Sequence, residues 1–94
     1  MNKIFKYVFT LDDVFHIEFP GLEPAILKIA KQPGHPHGVY CMWALVDADS
    51  KETRKKEFRV YGTGHDVPFG KRFNRHIETI VDSGYVWHFF EWME

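Results

Sequence analysis

Glu57-Phe-Arg-Val-Tyr-Gly-Thr-Gly-His65 and Tyr85-Val-Trp-His-Phe-Phe-Glu-Trp92 decide how this chain folds. Both runs are rich in aromatic and β-branched residues and alternate with period two, the pattern of strands in a sheet. In the first, Phe58 and Val60 share the inward face, and Arg59 and Tyr61 point outward. In the second, Tyr85, Trp87 and Phe89 share one face and Val86, His88 and Phe90 the other. Both of those faces are apolar except at His88. One is therefore internal, and the other lies under a loop or meets another chain.

The pattern extends outward from these two runs. Asp82-Ser83-Gly84 is a three-residue turn, with glycine where φ > 0 is wanted, joining Ile77–Val81 to the last strand as a hairpin. Near the start, Phe5, Tyr7 and Phe9 alternate, and so do Phe15, Ile17 and Phe19. Joined by Thr10 to Asp13, these two runs predict a β-hairpin that ends at Pro20-Gly21. Val39-Tyr-Cys-Met-Trp-Ala-Leu-Val46 is a continuous apolar run, expected as a central strand buried on both faces. Asp47 to Lys56 reads as a charged connection. Residues 23–32 suit a short helix by their lysine spacing and Pro24, or a strand by the β-pattern around them; the strand is the favoured reading. The expected fold is all-β: a small open barrel or sandwich of six to seven mostly antiparallel strands in one domain, 1–94.

Composition narrows the class. Ninety-four residues make one domain near the low end of what a single core stabilises. Aromatic residues at 17% offset the small volume, since each buried ring removes about 150–250 Å² from water. Cys41 is the single cysteine, so no disulfide framework exists and a reducing compartment, the cytosol, is expected. The opening residues lack the pattern of a signal peptide, and no run approaches the ~18 apolar residues of a membrane span. Net charge is −1 but polarised. Residues 51–75 hold eight of the twelve basic residues against three acids, whereas residues 76–94 hold four acids and no Lys or Arg. That balance suits an anion at the middle segment and disfavours indiscriminate nucleic-acid binding.

The ligand candidate follows from that basic segment. Gly62 to Arg75 reads as a fourteen-residue loop, longer than a plain connection needs. Gly62-Thr63-Gly64-His65-Asp66 resembles a phosphate-cradling turn, in which successive N–H groups make an anion nest. Lys71, Arg72 and Arg75 would supply charge, Arg59 would help, and Tyr61 or Phe73 would stack on a planar group. Reversing charge at Arg72 and Arg75 is then expected to remove binding and leave stability unchanged. The turn lacks the Gly-Lys-Ser/Thr of a Walker loop and the dinucleotide fingerprint. His35 and His37, with His65, His76 and His88 to complete a set, invite a metal, but no HExxH or paired CxxC accompanies them, so no metal ligands are assigned. Cys41 sits in an apolar strand, the setting of an inert core thiol. No catalytic residue and no cofactor is implied.

Met42-Trp-Ala-Leu-Val-Asp47, Phe58-Arg-Val-Tyr-Gly-Thr-Gly-His65 and Tyr85-Val-Trp-His-Phe-Phe-Glu91 are similar to a small family of uncharacterised domains in phages and prophage-bearing bacteria. The resemblance runs over most of the chain from Lys3, and Trp-Ala-Leu-Val-Asp and Gly-Thr-Gly-His are its most specific parts. It implies a compact β-domain acting as a small accessory protein of a mobile element. The expected function is non-enzymatic: blocking a host protein, or sequestering a small anionic ligand such as a nucleotide. A homo-oligomer is expected, with the last strand as its edge. A single-stranded nucleic-acid-binding barrel and a small histidine-based metal-dependent enzyme are the alternatives.

Overall fold

The structure, a computed structural model, describes residues 1–68 and 74–93. Seven strands form it: β1 (Asn2–Thr10), β2 (Val14–Pro20), β3 (Ala25–Lys31), β4 (Val39–Asp47), β5 (Thr53–Gly62), β6 (Asn74–Asp82) and β7 (Tyr85–Trp92). They make two antiparallel sheets, ordered β1-β4-β3 and β2-β5-β7-β6. Neither closes into a barrel. Of the two expected architectures the sandwich is the one formed, and among the described residues there is no helix, so none long and apolar enough to cross a membrane.

The core is aromatic. Phe19, Tyr40, Phe58 and Phe89 are fully buried, with Ile26, Ile29, Met42, Ala44, Val46 and Val60 around them. Burying each large side chain stabilises the fold by about 1.5–3 kcal/mol relative to exposure. Two polar groups enter this interior. Asp82 accepts hydrogen bonds from Tyr40 (2.7 Å) and the Gly38 amide (3.3 Å), and lies 3.2 Å from the Lys31 ammonium. Glu91 is paired with Lys56 at 2.5 Å.

The expected hairpin of β1 with β2 does not form. Thr10 pairs with Val39 of β4, and Val14 pairs with Arg59 of β5, so the three-residue corner passes the chain from one sheet to the other. The cause is the two aromatic rows. In a hairpin they would lie side by side on one sheet. Here they face each other across the core, with Phe9 stacked on Phe15 (4.5 Å between centroids) and Tyr7 edge-on to Phe19 (5.0 Å). Backbone bonds from Leu11 to Gly38 and from Val60 to Asp13 anchor the corner.

The remaining strands refine the expectations. Residues 25–31 are a strand with a bulge at Leu27, between Ile26 and Lys28. The extra residue puts Ile26 and Ile29, three apart in sequence, on the same inward face and leaves Leu27 exposed. In β4 the inward residues are buried, but on the other face only Cys41 is, while Leu45 is exposed. Burial on both faces was therefore overestimated. β5 starts at Thr53, so the second half of the charged connection is strand, paired to β2. The loop expected over 62–75 is shorter, because Gly62 ends β5 and Asn74 begins β6. β7 lies between β5 and β6, both edges occupied. It is not the free edge that self-association was expected to use.

Candidate functional site

Strand directions place the β1–β2 corner, the β3–β4 loop, the turn after β5 and the β6–β7 turn at one end of the sandwich. The turn after β5 is closed by a bond from the His65 amide to the Gly62 carbonyl (3.1 Å). Gly64, its third residue, has φ +89°, a conformation that glycine adopts without strain. Gly62 leaves room for a side chain. A Cβ there would stand 2.9 Å from Cε1 of His65, whose ring folds back so that Nδ1 accepts from the Gly62 amide at 3.3 Å. Across from it the hairpin turn is Ser83-Gly84, both with positive φ, and Asp82 already pairs with Tyr85. The connection is thus a two-residue turn and not the three-residue one expected.

Between these two turns lies a cavity of about 310 Å³, lined by Gly62, Thr63, His65, Gly84, Tyr85, Val86 and Trp87. Tyr85 and Trp87 stack at 5.6 Å with only 14° between their planes, and Tyr85 is largely exposed. The cavity therefore combines a flat aromatic wall with a glycine turn bearing a hydroxyl and an imidazole. Beneath it, the Tyr40 hydroxyl, the Gly38 amide and Lys31 hold the Asp82 carboxyl down to about 2. Burial, and the Asp82 carboxylate, push the Tyr40 phenol up. This latch ties the β6–β7 hairpin to β4 and to the β3–β4 loop. Larger depressions lie at the opposite end. One of about 460 Å³ is lined by Glu23, Asp47 and Glu52, a poor setting for an anion. Another of about 340 Å³ holds Lys56 and Glu91, already paired with each other.

The structure thus brings Gly62, Thr63, Gly64 and His65 together as one turn. Arg59 and Tyr61 lie nearby, on the outer face of β5. The Arg59 guanidinium sits 4.1 Å over the Trp92 ring and donates to Glu57 at 2.6 Å, while Tyr61 packs on Phe90 and Trp92. Arg75 is elsewhere. It is the second residue of β6, at the far end, largely exposed, and its guanidinium reaches back to the Ile26 carbonyl (3.5 Å) and Glu91 (3.9 Å). Reversing its charge would set two carboxylates together, so the expectation of unchanged stability does not apply at that position. Lys71, Arg72 and Phe73 lie outside the described residues. Among the described residues, no group of three or more His, Cys, Asp or Glu is arranged to hold a metal; His35 and His37 sit in an exposed loop.

Sequence reasoning missed the partners of the turn. On the outer sheet face, Thr63 Oγ1 is 2.8 Å from His88 Nε2, and His88 Nδ1 is 2.9 Å from Thr79 Oγ1, which is 2.8 Å from His76 Nε2. Counting back from the hairpin turn would have found one link. Asp82/Tyr85, Val81/Val86, Ile80/Trp87 and Thr79/His88 are successive pairs. The contact of Thr63 with His88 is tertiary and carried no sequence signal.

The chain is therefore a two-sheet antiparallel β-sandwich with a glycine-turn cavity at one end. It matches the family described as "Domain of unknown function (DUF7352)" over residues 1–94 and belongs to it. No curated protein and no solved structure matches the chain.

Proposed function

We propose that this domain is a non-enzymatic binding module that takes a small anionic ligand with a planar ring, a nucleotide or a molecule of that kind. One observation carries the reading. The Gly62–His65 turn, singled out for its glycines, lines a cavity of about 310 Å³ whose opposite wall is the stacked pair Tyr85 and Trp87. A planar ring would stack on the exposed face of Tyr85, and an oxyanion would meet the Thr63 hydroxyl and the His65 imidazole. The resemblance to domains of phages and prophages supports an accessory role in which such a ligand is sequestered. Adenosine monophosphate is the probe, with binding followed by calorimetry and by backbone amide shifts. Tyr85→Ala should weaken binding roughly tenfold, in line with about 1–3 kcal/mol for a stacked base. Unchanged affinity in Tyr85→Ala and in Thr63→Val would refute the reading.

A second reading, the blocking of a host protein, rests on the other sheet. Ile4, Val8, Leu27 and Leu45 are exposed together on the outer side of β1-β4-β3. A solvated sheet face ordinarily carries polar residues at such positions. Lys6, 5.9 Å from the Trp43 ring, and Lys28, paired with Trp43 from β3, bring positive charge to this patch.

A further inference from the structure

Thr63 belongs both to the turn that lines the cavity and to the hydroxyl–imidazole chain on the outer face. The chain's hydrogen inventory limits what Thr63 can offer a ligand. A threonine hydroxyl carries one hydrogen, and a neutral imidazole carries one, on either nitrogen. Each of the three contacts, at 2.8, 2.9 and 2.8 Å, needs one donor and one acceptor.

Two arrangements satisfy the chain when His88 is neutral. In one, Nδ1–H of His88 donates to Thr79, and Nε2 accepts from Thr63, whose only hydrogen is then used. Thr63 faces the cavity as an acceptor. In the other, Nε2–H of His88 donates to Thr63, and Nδ1 accepts from Thr79. The Thr79 hydrogen is then used, so Nε2–H of His76 must donate to Thr79. Only this second arrangement frees the Thr63 hydroxyl to donate into the cavity.

Resting on the anion-binding reading above, we propose that His88, Thr79 and His76 are positioning residues that set Thr63 as a donor to a bound oxyanion. Occupation of the cavity by an oxyanion selects the Nε2–H tautomer of His88 and, through Thr79, the Nε2–H form of His76. His88 keeps a single proton, moved from Nδ1 to Nε2 by exchange with solvent, while the Thr63 and Thr79 hydroxyls rotate and His76 is fixed as the donor to Thr79. The same chain makes the turn discriminate. A ligand presenting a hydrogen-bond donor at Thr63 selects the opposite polarity, in which the Thr79 hydrogen is free and His76 is no longer held in its Nε2–H form. Arg59 and Tyr61 on β5 and His65 on the turn are the other titratable side chains near His88. None of them is hydrogen-bonded to His88 among the described residues.

Sulfate is the probe, because it stays a dianion across the useful pH range. At pH 8, where a free imidazole is neutral, the ring ¹⁵N shifts of His88 and His76 report the tautomer directly. On saturation with sulfate, both should move to the Nε2–H form, with amide shifts confined to Thr63, Gly64 and His65. Thr79→Val should weaken sulfate about threefold to tenfold and uncouple His76 from the titration, with the unfolding midpoint followed alongside. Sulfate binding at the turn with the His88 tautomer unchanged overturns this proposal alone. Absence of any sulfate-dependent shift at Thr63–His65 overturns the anion-binding reading, and the proposal with it.

Discussion

Gly62→Ala separates backbone requirement from side-chain requirement at the turn. Gly62 lies outside the left-handed region, so alanine has no backbone conflict there, and fewer unfolded conformations would stabilise the fold by about 0.4–1 kcal/mol. The opposing effect comes from His65. An added Cβ would stand 2.9 Å from Cε1 and 3.1 Å from Nδ1, too close for the ring to stay. Displacing the imidazole breaks its bond to the Gly62 amide, at a cost of about 0.5–1.5 kcal/mol. In the parent protein the two effects nearly cancel, leaving a loss of up to about 1 kcal/mol. In a His65→Ala background nothing collides, and Gly62→Ala should stabilise by about 0.4–1 kcal/mol. The coupling between the two positions is therefore about 1 kcal/mol, readable by urea unfolding of all four proteins of the cycle. If Gly62→Ala has the same effect with and without His65, to within about 0.3 kcal/mol, the ring does not occupy the place assigned to it.

Other consequences are simpler to read out. Asp82 is held at about 2 in the folded protein, below its ordinary 3.8, first by the Tyr40 hydroxyl and further by the Gly38 amide and Lys31. A depressed carboxylate contributes stability above its unfolded pKa, and loses it as pH falls through the folded one. Stability should therefore decline between about pH 4 and pH 2 more steeply in the parent than in Asp82→Asn, followed by circular dichroism; parallel curves would remove Asp82 from the account. Phe89→Ala empties the centre of the core and should cost about 3–5 kcal/mol in denaturant unfolding, while Val81→Ala, on the exposed face, should change it by less than about 0.5 kcal/mol. Cys41 is fully buried, so a thiol reagent should label it only at the rate of global or local opening, and rapid labelling of folded protein would contradict the packing of β4.

The strands themselves were legible because alternation is a local property. Phe58 and Val60, or Phe15, Ile17 and Phe19, announce their inward face within five residues. The glycine turn was legible for the same reason. Partner choice was not. The sequence has the same pattern whether β1 and β2 lie side by side or face each other, and only the need of both aromatic rows for one core decides between them. Residues 25–31 were legible as a strand from their surroundings, but the bulge at Leu27 hid which side chains face inward, since one extra residue breaks strict alternation. Arg75 was assigned to the basic loop on charge, which carries no direction. Its place opposite Glu91, away from the glycine turn, follows from the register of β6 against β7.

The corner between β1 and β2 has a consequence for folding kinetics. Among the described residues, only β3–β4 and β6–β7 are hairpins closed by short connections, and one lies in each sheet. Hairpins of this kind form in about 1–10 μs, whereas β1 with β4, and β2 with β5, must close much longer loops. Such non-local pairing puts the whole domain in the millisecond-to-second range. Until β5 arrives, β7 carries one open edge and two apolar faces. That interval, before β5 closes on β7, is when the chain is most exposed to strand exchange with its neighbours.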